Sequence, residues 1–215
     1  ALLELLRAAA RERLRVCGIQ APMLDLFATA ASEVPIDDLA WVIAHPITLD
    51  QTQIARIQDL GIVITTHTNS YIWKRGADVL AQVGRDHENT ICPIRSLLDA
   101  GVTVSLATDN VPISLWNCVW HATERIDRSS GAVIAPDERI SREEALRCAT
   151  VHGARLCLAE AERGTLEVGK LADLIVLPEN PLTVEAPRLA GLVPDMTIVG
   201  GQSVWEKSNQ TKSRR

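Results

Sequence analysis

The sequence has no apolar run approaching the roughly 18 to 20 residues that a membrane-crossing helix requires, so it offers no transmembrane segment. Its five cysteines, Cys17, Cys92, Cys118, Cys148 and Cys157, are odd in number, scattered and never in a C-x-x-C pair. That excludes a zinc ribbon, argues against a disulfide framework and fits a reducing, cytoplasmic setting. Basic charge is scarce: 22 Lys and Arg against 27 Asp and Glu leave a net charge of -5 and a pI near 5.6. The chain therefore carries no overall footprint for nucleic acid or an anionic membrane. Its one basic cluster, "KSNQTKSRR", residues 207–215, reads as a polar tail over residues 208–215. Internal repeats and low-complexity segments are missing too. So is an initiator Met: the chain starts in mid-helix, "ALLELLRAAARERLRV", with no capping signal or cleavage-site pattern, which reads as a processed product or a piece of something longer.

What is present is an ordinary globular composition, 47% apolar and 23% charged, over 215 residues, enough for one large domain or a medium one plus a small one. Helical spacing in "LLELLRAAAR" gives way to a short apolar run, "LRVCGI", and the alternation repeats. The helices "MLDLFATAA" and "TLDQTQIARIQDLG" precede the strands "LAWVIAHP" and "IVITTHT", the second helix with Thr48 or Asp50 as N-cap candidate and Gly61 past its end. After a long polar loop, "CPIRSLLDAG" leads into "VTVSLATD". Four near-continuous apolar strands, each preceded by a helix, predict a parallel sheet covered by helices, a pattern common to doubly wound sheets and (β/α)8 barrels. Two more helices follow, "SLWNCVWHATERIDR" and "SREEALRCATVHGARLCL", the latter opened by a Ser141 to Glu144 capping pattern. From Gly164 short strands with Gly turns predict a small antiparallel unit, with a boundary near residue 160.

The polar groups at the carboxyl ends of the four strands are Cys17, His45, His67 and Asp109, and active sites of parallel α/β folds gather at those ends. Each has a structural reading: a hydrogen-bonded His, an Asx-turn Asp before "NVP", a small buried Cys. The functional reading is convergence of imidazole and carboxylate on a divalent cation or an activated water, with the carboxylate as general base. A metal site normally needs at least three protein ligands, so spacing alone does not establish one. A phosphate loop over Gly164 to Lys170 is excluded, because Leu171 replaces the hydroxyl residue and no helix follows. His87, His121 and His152 have no strand-end position and read as structural, and Trp116 and Trp120 as core.

Three stretches, "ENTICPIRSLLDAGVTVSLATDNVPIS", "ISREEALRCATVHGA" and "RGTLEVGKLADLIVLPENPLTV", closely resemble the metal-dependent amidohydrolase superfamily, in particular amidohydrolase family 3. The resemblance runs from about Leu2 to Glu206. It implies an α/β fold: the C-terminal half, strands five to eight, of a (β/α)8 TIM barrel in residues 1–160, then a small β-sandwich segment in 161–207. It implies a metal-dependent hydrolase of carbon-nitrogen bonds other than peptide bonds, acting on a small-molecule substrate such as an amide, formamide, cyclic amide or amidine. Asp109 would bind metal and take a proton from the attacking water, and His45 would bind metal or orient the substrate carbonyl. The cofactor would be a divalent metal, zinc, as one or two ions. Cys17 falls where the family has a strand-five histidine ligand, so that ligand is replaced by a thiolate or lost. The strand-one H-x-H pair and strand-four lysine have no counterpart, which makes the missing N-terminal half of the barrel a required partner and the chain alone an inactive fragment. His67, Asn69, Tyr71, Trp73 and Arg75, in the loop after the third strand, are candidate substrate contacts. A homo-oligomer is compatible with the sequence, and a degenerate, metal-free barrel that binds a small molecule or a partner is the alternative function.

Overall fold

The computed structural model describes residues 1–109 and 112–207. Asn110, which the sequence places in a turn after Asp109, and the tail 208–215 lie outside the described residues. The first half of the chain alternates helix and strand: α1 (Leu2–Arg11), β1 (Cys17–Ile19), α2 (Met23–Ala31), β2 (Val42–Ala44), α3 (Gln51–Asp59) and β3 (Val63–Thr65). Asp50, rather than Thr48, caps α3, accepting from the Gln53 backbone N–H while the Gln53 side chain returns to the Asp50 N–H. Gly61 ends the turn after α3 at φ +62°, and a Cβ there would stand 2.0 Å from the Asp37 carbonyl oxygen, so only glycine fits.

The segment that the sequence shows as a long polar loop is largely helical. A π-helix (Asn69–Lys74), α4 (Gly76–Val83) and a 3-10 stretch (Arg85–Thr90) precede α5 (Ile94–Asp99) and β4 (Val104–Ser105). Wide turns, such as the bond from Arg75 N–H to the Ser70 carbonyl, do not follow the 3.6-residue period by which a helix is read from sequence. Then come α6 (Leu115–Glu124), a short 3-10 turn (Pro136–Glu138), α7 (Arg142–Ala149) and α8 (Val151–Leu156). The apolar spacing predicts one helix over the last two; they part at Thr150, whose φ of -118° and ψ of -77° break the regular ladder.

The four strands form a parallel sheet in the order β1-β2-β3-β4. Its two faces are separated by the two-residue period of a strand. Ile43, Ile64 and Val104 enter the main core with Leu24, Phe27, Ile54, Ile57 and Leu97 of the flanking helices. Phe27 meets Trp41 edge-on, ring centroids 4.7 Å apart, and the Trp41 indole N–H donates to the Leu14 carbonyl. On the opposite face Val42 and Val63 pack with Ala40 and Leu156 in a smaller cluster, while Cys17 and Ile19 of β1 are exposed.

The chain ends in a second, antiparallel sheet, β5 (Leu174–Val176), β6 (Met196–Val199) and β7 (Gln202–Glu206), with α9 (Ala186–Leu189) between β5 and β6. Gly200 and Gly201, both at positive φ, make the two-residue hairpin between β6 and β7. Val184, Leu189 and Leu192 reach back into the main core, and Arg142 on α7 donates to the carbonyls of Pro181 and Val184. The segment after residue 160 is thus fastened to the first sheet's helices.

Candidate active site

Parallel strands that share a register bring their carboxyl ends to one edge, and that edge gathers the polar groups here. His45 directly follows β2, its N–H bonded to the Thr65 carbonyl; His67 lies two residues beyond β3; Asp109 lies four beyond β4. The His67 Nε2 is 3.0 Å from Asp109 Oδ2, and the His45 Nε2 is 4.0 Å from Asp109 Oδ1. The two imidazole centroids are 5.0 Å apart. The sequence singled out all three, and the fold brings them together.

Their environments differ in a way that assigns their protons. His67 is nearly buried, at 8% side-chain exposure, and burial pushes its pKa below the usual histidine value, with Asp109 opposing and His45 and Lys74 reinforcing the shift. At neutral pH it is therefore a neutral imidazole whose Nε2–H faces the Asp109 carboxylate. The His45 Nδ1 lies 3.2 Å from the Thr66 carbonyl, which only accepts, so Nδ1 carries a proton and, in the neutral ring, Nε2 presents a lone pair. That lone pair and Asp109 Oδ1 are two acceptors facing each other across 4.0 Å.

Two facing acceptors are the donor chemistry that a divalent ion requires, and a histidine tied to a backbone carbonyl through its other nitrogen is the usual way a ligand is oriented. His45 and Asp109 thus fit a divalent metal in kind. Among the described residues, no three His, Cys, Asp or Glu side chains are already arranged to enclose an ion. Cys17 does not join the cluster: it opens β1, level with Val42, whereas the residue of that chain end beside His45 is Gln20, bonded through its N–H to the Ala44 carbonyl.

The loop candidates separate. Tyr71 faces the site, its ring edge-on to His67 at 5.1 Å and its hydroxyl accepting from Gln20 Nε2 at 3.1 Å. Asn69 is buried at the start of the π-helix. Trp73 turns instead to α6, stacked on His121 at 5.6 Å and edge-on to Trp120 at 5.2 Å, and Arg75 is exposed. Gln20 is the residue that reading the sequence missed; as the first polar side chain after a strand, it satisfied the same rule that picked out His45. A groove of about 850 Å³ lies elsewhere, between α8 and the C-terminal sheet, lined by Ala154, Cys157, Ile175 and Ile198. It holds none of the strand-end groups.

A family model described as amidohydrolase family matches residues 14–205. The chain belongs to the amidohydrolases, family 3 of that superfamily. It is 32% identical over 168 residues to an N-substituted formamide deformylase from Arthrobacter pascens, a match covering 76% of this chain and 30% of the relative. It is 34% identical over 117 residues to an imidazolonepropionase from Thermoplasma acidophilum, covering 54% of this chain and 26% of the relative. The chain therefore spans about a third or less of the length of these curated relatives. Among solved structures, an uncharacterized metal-dependent hydrolase from Pyrococcus horikoshii superposes with a TM-score of 0.69 at 24% identity, over 86% of this chain and 38% of that one. A variant atrazine chlorohydrolase from Arthrobacter aurescens, complexed with zinc and atraton, gives 0.59 at 23% identity, over 94% and 46%. These likenesses establish the α/β barrel-type fold shared by such hydrolases.

Proposed function

We propose that this chain is the strand-five to strand-eight half of a (β/α)8 barrel, with a sandwich segment after it, in a hydrolase of non-peptide carbon-nitrogen bonds. The observation that carries the reading is the trio His45, His67 and Asp109 at one sheet edge, in a chain whose family relatives include a formamide deformylase and an imidazolonepropionase. The four-strand sheet with two open edges, and the fraction of the relatives' length that it spans, support the half-barrel assignment. Residues 161–207 would form the sandwich segment.

Asp109 and His45 would hold a divalent ion, together with ligands from the remaining strands; zinc is the ion we assign. A bound divalent ion supplies Lewis-acid polarisation of a carbonyl and a water more readily deprotonated. Asp109 is placed to take the proton of the attacking water, being a carboxylate at the mouth with 42% of its side chain exposed. His67 keeps the carboxylate oriented through its Nε2–H and, being neutral, does not quench its basicity with a full charge. Tyr71 lies against His67, where it can contact the substrate.

The test joins this chain to the remaining barrel strands and measures bound metal and turnover of N-alkylformamides and cyclic amides. Stoichiometric metal with turnover that Asp109→Asn abolishes is the expected result. A well-folded, metal-free and inactive assembly would instead support the second reading, a binding barrel, for which the specific observation is Cys17, at the position where the family resemblance calls for histidine.

A further inference from the structure

Gln20 terminates β1 in the left-handed region, at φ +72°, a conformation that a non-glycine residue adopts at a cost. Its N–H, bonded to the Ala44 carbonyl at 2.8 Å, fixes it beside His45. Its carboxamide then reaches to Tyr71, Nε2 to hydroxyl oxygen 3.1 Å, and the Tyr71 ring touches His67. Because β1, β2 and β3 are consecutive in the sheet, a phenol in contact with both Gln20 and His67 crosses the end of β2, where His45 sits. The phenol therefore reaches across the carboxyl ends of β1 to β3, on the side of the mouth where His45 and His67 lie.

The direction of the Gln20 bond decides what the phenol can do. An amide N–H₂ only donates, so Tyr71 accepts from it and retains its own O–H for another partner. His67 Nε2 is turned to Asp109 and so is not the acceptor for that O–H. We infer that Gln20 is a positioning residue that holds Tyr71 as a hydrogen-bond donor to the oxygen of the carbon-nitrogen bond being cleaved. This rests on the hydrolytic reading above and adds to it the group that stabilises developing negative charge on the substrate oxygen, a role in which one donor changes turnover by about a hundredfold or more.

Gln20→Glu separates this role from a structural one. It conserves shape and a hydrogen bond but reverses its sense, because a carboxylate accepts and would capture the phenol proton. Tyr71 is the single tyrosine of the chain, so the tyrosine Fermi doublet in its Raman spectrum reports this hydroxyl alone. In the isolated chain the doublet should move toward the strong-donor form in Gln20→Glu, and an unchanged doublet overturns the inference. In the assembled enzyme, with an N-alkylformamide as probe, kcat should fall at least about tenfold with KM and the thermal midpoint little changed. Tyr71→Phe should show the same loss, and Gln20→Glu should add nothing on that background. Full kcat in Gln20→Glu, or additive losses, would overturn the proposal. Absence of any turnover by the unsubstituted assembly would count against the hydrolytic reading, while the Raman doublet would still decide whether Gln20 sets the phenol's polarity.

Discussion

The Nε2 of His67 and the Oδ2 of Asp109 lie 3.0 Å apart, a nearly buried neutral imidazole donating to a half-exposed carboxylate at the ends of adjacent strands. The pair has one member sheltered from water and the other open to it, which suits a base that must exchange protons with substrate.

Asp109→Asn in the assembled enzyme should lower kcat by about 10² to 10⁴ while the unfolding midpoint stays where it was, since the side chain is exposed enough to be replaced without leaving a cavity. Steady-state kinetics alongside thermal unfolding checks both halves. Turnover retained in the mutant would remove Asp109 from the mechanism.

His121 should make the fold sensitive to acid. It is buried between Trp73 and Trp120, and burial, with Lys74 nearby, pushes its pKa down to about 4. The folded state thus binds fewer protons than the unfolded chain, where histidine titrates near 6.5, so the stabilisation is complete above about pH 6.5 and is lost as the pH falls toward 4. The window corresponds to about 3 kcal/mol. His67 is shifted in the same direction, so the measurement is a difference: urea unfolding of the chain and of His121→Leu between pH 7 and 4, with the variant showing the shallower slope.

Thiol chemistry should divide the cysteines two against three. Cys17 and Cys157 are exposed; Cys92, Cys118 and Cys148 are buried, and burial pushes their thiols up to about 11, 11 and 12. A chromogenic disulfide reagent should titrate two thiols in the native chain and five after denaturation.

Arg125 should prove indispensable to the fold. Wholly buried, it donates to the carbonyls of Ile91, Cys92 and Ile134, tying the end of α6 to two separate loops, and burial pushes its pKa down to about 10, which leaves it charged at neutral pH. Arg125→Met takes the donor from the Ile91 and Ile134 carbonyls and one of two donors from Cys92, whose carbonyl keeps the Ile94 N–H, and should cost about 3 kcal/mol or more in denaturant unfolding.

Reading the sequence succeeded where one local rule governed the outcome. Apolar runs ended at His45 and near His67 and Asp109 because buried parallel strands must be apolar, and their polar terminators mark the mouth. The Ser141 to Glu144 pattern formed the capping box it suggested, and Trp116 and Trp120 pack against the main core. The failures share a different cause. "HTNSYIWKRGADVL" has no 3.6-residue stripe because its first turn is a π-helix, so Trp73 was grouped with Tyr71 although the two point to different neighbours. Gln20 obeys the strand-end rule that marks His45, but its contact with Tyr71, distant in sequence, is of a kind that no local pattern reports.

Gln20, His45 and Asp109 all sit at positive φ, +72°, +57° and +57°. A protein engineer ranking positions by backbone comfort would exchange each of them for glycine and gain about 1 kcal/mol at a time, the cost of a left-handed L-residue. The most stable version of this chain would then be one whose mouth had been erased. Stabilising programmes for this protein should therefore hold these three positions fixed and seek their gains on the helices.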